Sequence, residues 1–263
     1  ILNIADMTTN GAFTLGCAVS ATIALAGHPY LAFPAAMLAG AAAGFVTALL
    51  QTRFRIPSIL AGIITDTGLY TVNLAVMGFS SNVNLLKKAT LFSELKPMLG
   101  TYYRLIPSAL IAIITVVLLV LFLKTRLGLS IRATGDNPDM VRASSINTNF
   151  TITIGLCVAN ACTALSGALL AQYQKAADIN LGGGMVIIGL ASLIIGEALM
   201  PKGKLWMKAA GAVVGSIVYR FIIAIALRLD LPSECLKLIS AVIVALAIGL
   251  PALTNAKGGK VKC

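Results

Sequence analysis

Long apolar runs alternate with short polar segments along almost the whole chain. A membrane-crossing helix needs ~20 mostly apolar residues. By that measure the pattern predicts spans near residues 12–28, 31–50, 58–79, 105–123, 150–173, 186–200, 207–228 and 235–250. The run from Leu105 to Leu123 is the cleanest, rich in Ile, Val and Leu. The run 186–200 is short and ends at Met200-Pro201, which fits a half-helix. The expected fold is all-α and polytopic, with about eight spans in one domain over residues 1–263. The chain opens at Ile1 inside a polar motif, so one further helix is expected before it.

Composition fixes the solvent. Hydrophobic residues make up 58% and charged residues only 11%. Soluble domains carry roughly 25% charged residues, so this surface belongs largely in lipid. The net charge of +11 does not point to nucleic acid, because the basic residues form no continuous face. They collect in short loops instead. Arg53 and Arg55, the four basic residues of 124–149, Lys202, Lys204, Lys208 and three tail lysines fall on one side, twelve in all. Lys87, Lys88, Lys96, Arg104 and Lys175, five in all, fall on the other. The bias places the first side in the cytoplasm and makes 80–104 the main external segment. The five cysteines lack metal-like spacing and read as small packing residues, and His28 reads as a loop residue beside Pro29.

The segment 124–149, KTRLGLSIRATGDNPDMVRASSINTN, is the longest polar interruption on the cytoplasmic side. Its centre, Thr134-Gly135-Asp136-Asn137-Pro138, predicts a turn followed by a short helix, with Asn137 as the cap and Pro138 at the first helical position. A basic loop carrying a short capped helix suits a docking surface for a cytoplasmic protein.

Two half-chains share a faint pattern. Ala5-Asp6 precedes two spans and then Ile56-Pro57-Ser58; Ala177-Asp178 precedes a Gly triplet, two spans and then Leu231-Pro232-Ser233. The charge bias gives the halves opposite orientation, an arrangement common among transporters.

Polar groups inside a bilayer are costly and mark candidate function. The opening Asn3-Ile4-Ala5-Asp6-Met7-Thr8-Thr9-Asn10-Gly11 predicts an unwound segment leading to a helix that starts near Ala12. Its free N–H groups would suit an anionic group such as a substrate carboxylate; the alternative is an ordinary capped loop at the membrane edge. Thr65, Asp66, Tyr70 and Asn73 form a second cluster, with the last three at i, i+4, i+7 on one helical face. That face either lines a translocation path or bonds to a neighbouring helix. Glu197 is placed to pair with Lys202, Lys204 or a partner, and Arg220 lies inside a span. Gly40/Gly44 and Gly211/Gly215 are GxxxG matches that by themselves identify no particular dimer face. The sequence holds no Walker A motif, no paired-histidine metal motif and no Ser/His/Asp set. Nucleotide-driven transport would therefore need a separate ATPase.

Three segments resemble the permease subunits of ABC importers of the branched-chain amino acid/ribose type. They are LNIADMTTNGAFTLG (2–16), GLSIRATGDNPDMVRASSIN (128–147) and ADINLGGGMVIIGLASLIIGEAL (177–199), in the expected order. Ser144-Ser145-Ile146 departs from the Gly-Ile pair usual in the second segment, and Gly196-Glu197 stands in place of Gly-Gly in the third. That last feature and the MTTNG opening are similar to permeases of tryptophan/tyrosine-type import. The resemblance implies a non-enzymatic subunit in a bacterial-type inner membrane, without a cofactor. Its implied partners are a second permease copy, two cytoplasmic ATPase subunits, an extracytoplasmic binding protein and membrane lipid. It assigns ATPase coupling to Arg132, Gly135, Asp136, Asn137, Pro138 and Arg142. Asn3, Asp6, Thr8, Thr9, Thr65, Asp66, Tyr70 and Asn73 are the candidates for lining the solute route. An amino acid is the expected solute, with a sugar or nucleoside as the alternative. The rival classes are an ion-coupled secondary transporter using Asp6 and Asp66, and a membrane receptor or scaffold that only recruits a protein.

Overall fold

A computed structural model describes residues 2, 4–86, 88–200, 205–228 and 242. Ten α-helices and one antiparallel strand pair account for the described residues. Helices α1 (Thr8–Leu25), α2 (Ala32–Thr52) and α3 (Ser58–Val76) come first. Strand β1 (Asn82–Asn84), helix α4 (Leu91–Leu99) and a 3-10 turn follow, and then α5 (Leu105–Lys124). Helices α6 (Arg126–Asp136) and α7 (Pro138–Ala143) precede α8 (Thr148–Gln174). Strand β2 (Ala176–Asp178), α9 (Met185–Leu199) and α10 (Leu205–Arg228) complete the order. The chain divides into two units, residues 1–183 and 184–263.

Helices α2, α3, α5, α8 and α10 are long and apolar enough to cross a membrane, and α9 is a shorter apolar helix. The expected span at 235–250 lies outside the described residues. Helix α1 is the most enclosed. Ala12, Cys17, Ala18, Ala21 and Ala24 are wholly buried, so its moderate apolarity reflects a protein environment rather than lipid. Small residues set its position. A β-carbon on Gly16 would lie 2.0 Å from the Ala164 carbonyl oxygen of α8, and one on Gly167 would lie 2.1 Å from that of Phe13. Backbones therefore touch directly along α1 and α8, the packing mode that small residues permit between membrane helices. Gly40 and Gly44 of α2 face Asn160 and Leu156 of α8 in the same way. In the second unit, Gly215 of α10 meets the Ser192 carbonyl of α9, and Gly196 meets that of Gly211. Both GxxxG motifs thus serve interfaces within the chain. Helix α5 contrasts with these, since only Pro107 and Leu123 are buried.

Segment 80–104, expected to be external, is more structured than a plain loop. Val83 of β1 pairs with Ala177 of β2, and Leu85 and Phe92 are buried beneath. Thr90 and Ser93 cap α4 reciprocally, which supplies partners for its first N–H groups. Gln172, fully buried near the end of α8, accepts from Leu91 N–H at 2.9 Å and donates to the Pro29 carbonyl at 2.9 Å and Ser20 Oγ at 3.2 Å. One side chain thus joins α8, α1, the α1–α2 turn and α4. The Glu94 carboxylate accepts from the exposed Tyr30 hydroxyl and raises the tyrosine pKa above its ordinary value.

Steric contact along α1 predicts opposite fates for two glycines. Gly16→Ala is expected to lower stability by about 1–3 kcal/mol through overpacking. Gly68→Ala, where a β-carbon meets nothing within 4 Å, is expected to leave stability unchanged or raise it by up to ~1 kcal/mol. Thermal unfolding of the purified protein in detergent distinguishes the two.

Candidate functional site

The start of α1 is the polar centre of the first unit. The helix begins at Thr8 rather than near Ala12, because Asp6 supplies the bonds that the first turn lacks. Asp6 Oδ1 accepts from Thr8 N–H at 2.9 Å, and Thr9 Oγ1 donates to the Asp6 carbonyl at 3.2 Å. The other carboxylate oxygen, Oδ2, accepts from Asn160 Nδ2 at 2.8 Å. Thr8 Oγ1 shares a hydrogen with Thr47 Oγ1 of α2 at 2.7 Å, fully buried. Four chain segments therefore meet at one helix start: residues 4–7, α1, α2 and α8.

Helix α3 closes the other side. A β-carbon on Gly11 would lie 2.7 Å from Asp66 Oδ1 and 2.9 Å from Leu69 Cβ, so only glycine fits there. The Asp66 carboxylate faces the Gly11 backbone N–H, while Asn73 Nδ2 donates to the Gly11 carbonyl at 3.2 Å. Both polar faces of one α1 peptide region are thus engaged by α3. Thr65 is buried and bonds back to the Ala61 carbonyl at 3.0 Å. Tyr70 stays 54% exposed and shares none of these bonds. Asn3 lies outside the described residues.

This geometry changes the electrostatics expected from the sequence. The chain's own carboxylates take up the α1 start, so that end is not an open anion site. Asp6 and Asp66 are near enough to repel each other. Asn73 Oδ1 and Asn160 Oδ1 are buried acceptors without a partner among the described residues. The cluster therefore offers negative charge and unused acceptors, which suit a group rich in N–H donors. Thr47 and Asn160 were missed by reading the sequence. Each is a lone polar residue in an apolar run, and only the cost of burying such a group could have flagged it.

Segment 124–149 is a helix–turn–helix, not a loop with one short helix. Residues 134–136, expected in the turn, finish α6. Asn137 does cap α7, accepting from Asp139 N–H at 3.1 Å and Met140 N–H at 3.0 Å, with Pro138 at the first helical position. Burial of Ile131 and Val141 holds both helices down, and Thr134 Oγ1 meets Thr151 Oγ1 of α8 at 2.9 Å. Arg132 and Gly135 are half-buried on α6, whereas Asp136, Asn137, Pro138 and Asp139 are exposed at the apex. Met140 is 68% exposed and adds an apolar contact that the sequence reading did not single out. Arg142 points back toward α8, donating from Nε to Thr148 Oγ1 at 3.2 Å.

In the second unit, exposed Glu197 shares a small pocket with Lys208, while Lys202 and Lys204 lie outside the described residues. Arg220 is exposed and forms no ion pair among the described residues.

Comparison with known proteins agrees with this architecture. Residues 1–250 match the family described as branched-chain amino acid transport system / permease component. A tyrosine transport system permease protein of Clostridioides difficile is 36% identical over 246 residues, covering 93% of this chain and 81% of that protein. An uncharacterized protein of Rickettsia prowazekii is 32% identical over 253 residues, covering 94% and 88%. A ribose import permease protein of Haemophilus influenzae is 22% identical over 254 residues, covering 92% and 75%. No solved structure matches the chain.

The Asp6–Asn160 bond can be weighed by a double-mutant cycle. Asp6→Ala and Asn160→Ala are expected to be non-additive, with a coupling on the order of 1 kcal/mol in the stability of the purified protein. Additivity would mean that α8 does not hold the α1 start through this bond.

Proposed function

The chain belongs to the family of permease components of branched-chain amino acid transport systems, and from that membership we propose that it forms an amino-acid path in an ATP-driven importer. As a permease of the ABC type it is a multi-pass protein of the bacterial inner membrane. In this reading two ATPase subunits bind the cytoplasmic apex, a binding protein delivers solute outside, and a second copy of the chain completes the path.

The observation that carries the solute class is the surplus of acceptors at the α1 start. Asp6, Asp66, Asn73 and Asn160 present two carboxylates and two unpartnered amide oxygens. An α-ammonium group carries three donors and a positive charge, so it satisfies what this cluster lacks. A neutral sugar would leave the carboxylates uncompensated in a poorly hydrated site. The tyrosine permease relative supports the same class. Thr8, Thr9, Thr65 and Tyr70 flank this cluster along the proposed route, and Asn3 precedes it in sequence.

The observation that carries coupling is the way α6 and α7 are mounted. Their exposed apex, Asp136 to Met140, is free to enter a partner's cleft, while Thr134–Thr151 and Arg142–Thr148 join them to α8. Helix α8 also holds Asn160 against Asp6. A push on the apex therefore reaches the α1 start through one continuous helix of 27 residues, about 40 Å long. ATP-driven closure of the ATPase pair would displace α8, and the α1 start would change its bonds as the path opens to the cytoplasm.

Three outcomes follow in proteoliposomes containing the full importer and its binding protein. Substituting Gly135 and Pro138, or replacing Thr134 and Thr151 by Val together, is expected to abolish solute-stimulated ATP hydrolysis while the permease still folds. Asn137→Ala should weaken α7 by about 1 kcal/mol through loss of its cap and reduce the same stimulation. Asp66→Asn is expected to impair uptake of the amino acid more than ATPase assembly. Accumulation of solute by the chain alone on an ion gradient, with no ATPase present, would overturn the proposal.

A further inference from the structure

The end of the bundle that carries Arg53, Arg55 and Arg142 contains a cavity of about 780 Å³. The α2–α3 connection walls it on one side, through Gln51, Arg55 and Ile56. The end of α7 and the start of α8 wall it on the other, through Arg142, Asn147 and Ile152. No acidic side chain lines it. Among the described residues Asp139 pairs with Arg142, at 3.4 Å from Nη1, and the two side chains are 87% and 62% exposed. Such a long exposed pair offsets little of the positive charge. Gln51 Nε2 is buried in this wall with no partner among the described residues, so a donor beside Arg55 awaits an acceptor, while Arg142 already donates to Thr148 Oγ1 and Asp139.

Arg55 supports a ligand role independently. It follows the C-terminus of α2 with φ +55°, and Ile56 N–H bonds back to the Leu50 carbonyl at 3.2 Å. A helix ending of this kind favours glycine, because a β-carbon is strained in the left-handed region. An arginine held there retains a charge at a backbone cost, and the residue lines the cavity.

The depth of the cavity identifies the ligand. It sits where α2 ends at Thr52, α3 begins at Ser58 and α8 begins at Thr148, which is headgroup level for those spans. Phe54 and Phe150 flank its walls in sequence and are 63% and 52% exposed, as aromatic side chains are at a membrane interface. Ile56 and Ile152 supply apolar wall beside the polar groups. Basic pockets between spans on the cytoplasmic side recognise anionic headgroups. We infer that this cavity binds the phosphate of an anionic phospholipid of the cytoplasmic leaflet, held by Arg55, Arg142 and Gln51. Lipid bound there would brace α7 from behind against the α2–α3 connection. The inference uses the sidedness given by the charge bias and not the ATPase reading, so either stands if the other fails.

Native mass spectrometry of the purified full chain, titrated separately with phosphatidylglycerol and phosphatidylcholine, tests it. The wild type is expected to retain phosphatidylglycerol preferentially. Arg55→Gln and Arg142→Gln should each weaken that retention about fivefold, the effect of one basic group near an anionic headgroup, and leave phosphatidylcholine unaffected. Arg55→Lys should keep most of the affinity. Arg55→Gly relaxes the backbone while removing the charge, so it should melt no lower than wild type in lipid-free detergent yet lose phosphatidylglycerol. Equal retention of both lipids by the wild type, or full retention by the Gln variants, would overturn the inference. So would equal thermal protection by inorganic phosphate, which would make this a site for a soluble anion.

Discussion

A helix start buried in protein finds little water to bond, and the start of α1 is where the first unit meets that constraint most fully. A helix start exposes N–H groups that water would otherwise satisfy. Here Asp6 takes the N–H of Thr8 and Asn160 donates to Asp6, while Asn73 donates to the carbonyl of Gly11. These bonds need α2, α3 and α8 within a few ångströms of one another. The small residues supply that closeness: Gly16 and Gly167 between α1 and α8, Gly40 and Gly44 between α2 and α8, Gly11 between α1 and α3. Polar satisfaction and small-residue packing are two sides of one arrangement.

The same constraint explains which parts of the fold were legible in the sequence. Spans separated by charged loops were read close to their observed limits, because twenty apolar residues leave few alternatives. Asn137 and Pro138 were legible because capping is local chemistry. The onset of α1 was not, since propensity alone left Thr8–Gly11 outside the helix and the bonds that stabilise it come from Asp6 and from residues far along the chain. Likewise Gly135 and Asp136 read as turn residues, whereas burial of Ile131 and the Thr134–Thr151 bond continue α6 through them. The candidate path was half legible: Asp6, Asp66 and Asn73 stood out as polar groups, but Thr47 and Asn160 emerge only when α2 and α8 are laid against α1. Of the 5–58 and 177–233 repeat, Leu231-Pro232-Ser233 lies outside the described residues. Asp178 Oδ1 accepts from Asn180 N–H at 2.8 Å, the same two-residue turn that Asp6 makes with Thr8.

Helix α8 links the two ends of the first unit. Its outer end is held by Gln172, which bonds to α4, α1 and the α1–α2 turn, and its inner end by Thr148 and Thr151. Glycine-mediated contacts along its length are backbone against backbone, with few interlocking side chains. Packing of that type permits small sliding of one helix along another more readily than an interface of interdigitated large residues. Directional bonds resist sliding: besides those at the two ends and at Asn160, Cys17 Sγ donates to the Gly167 carbonyl at 3.1 Å and Ser20 Oγ to the Ala168 carbonyl at 3.2 Å. Displacement of α8 along α1 therefore has to change the Asn160–Asp6 bond together with those of Cys17 and Ser20. In the proposed importer this puts the solute cluster among the polar contacts on the most direct line from the cytoplasmic apex. The arriving ammonium would then compete for the acceptors that hold α8 in place, so solute binding and ATPase motion would act on the same bond from opposite sides.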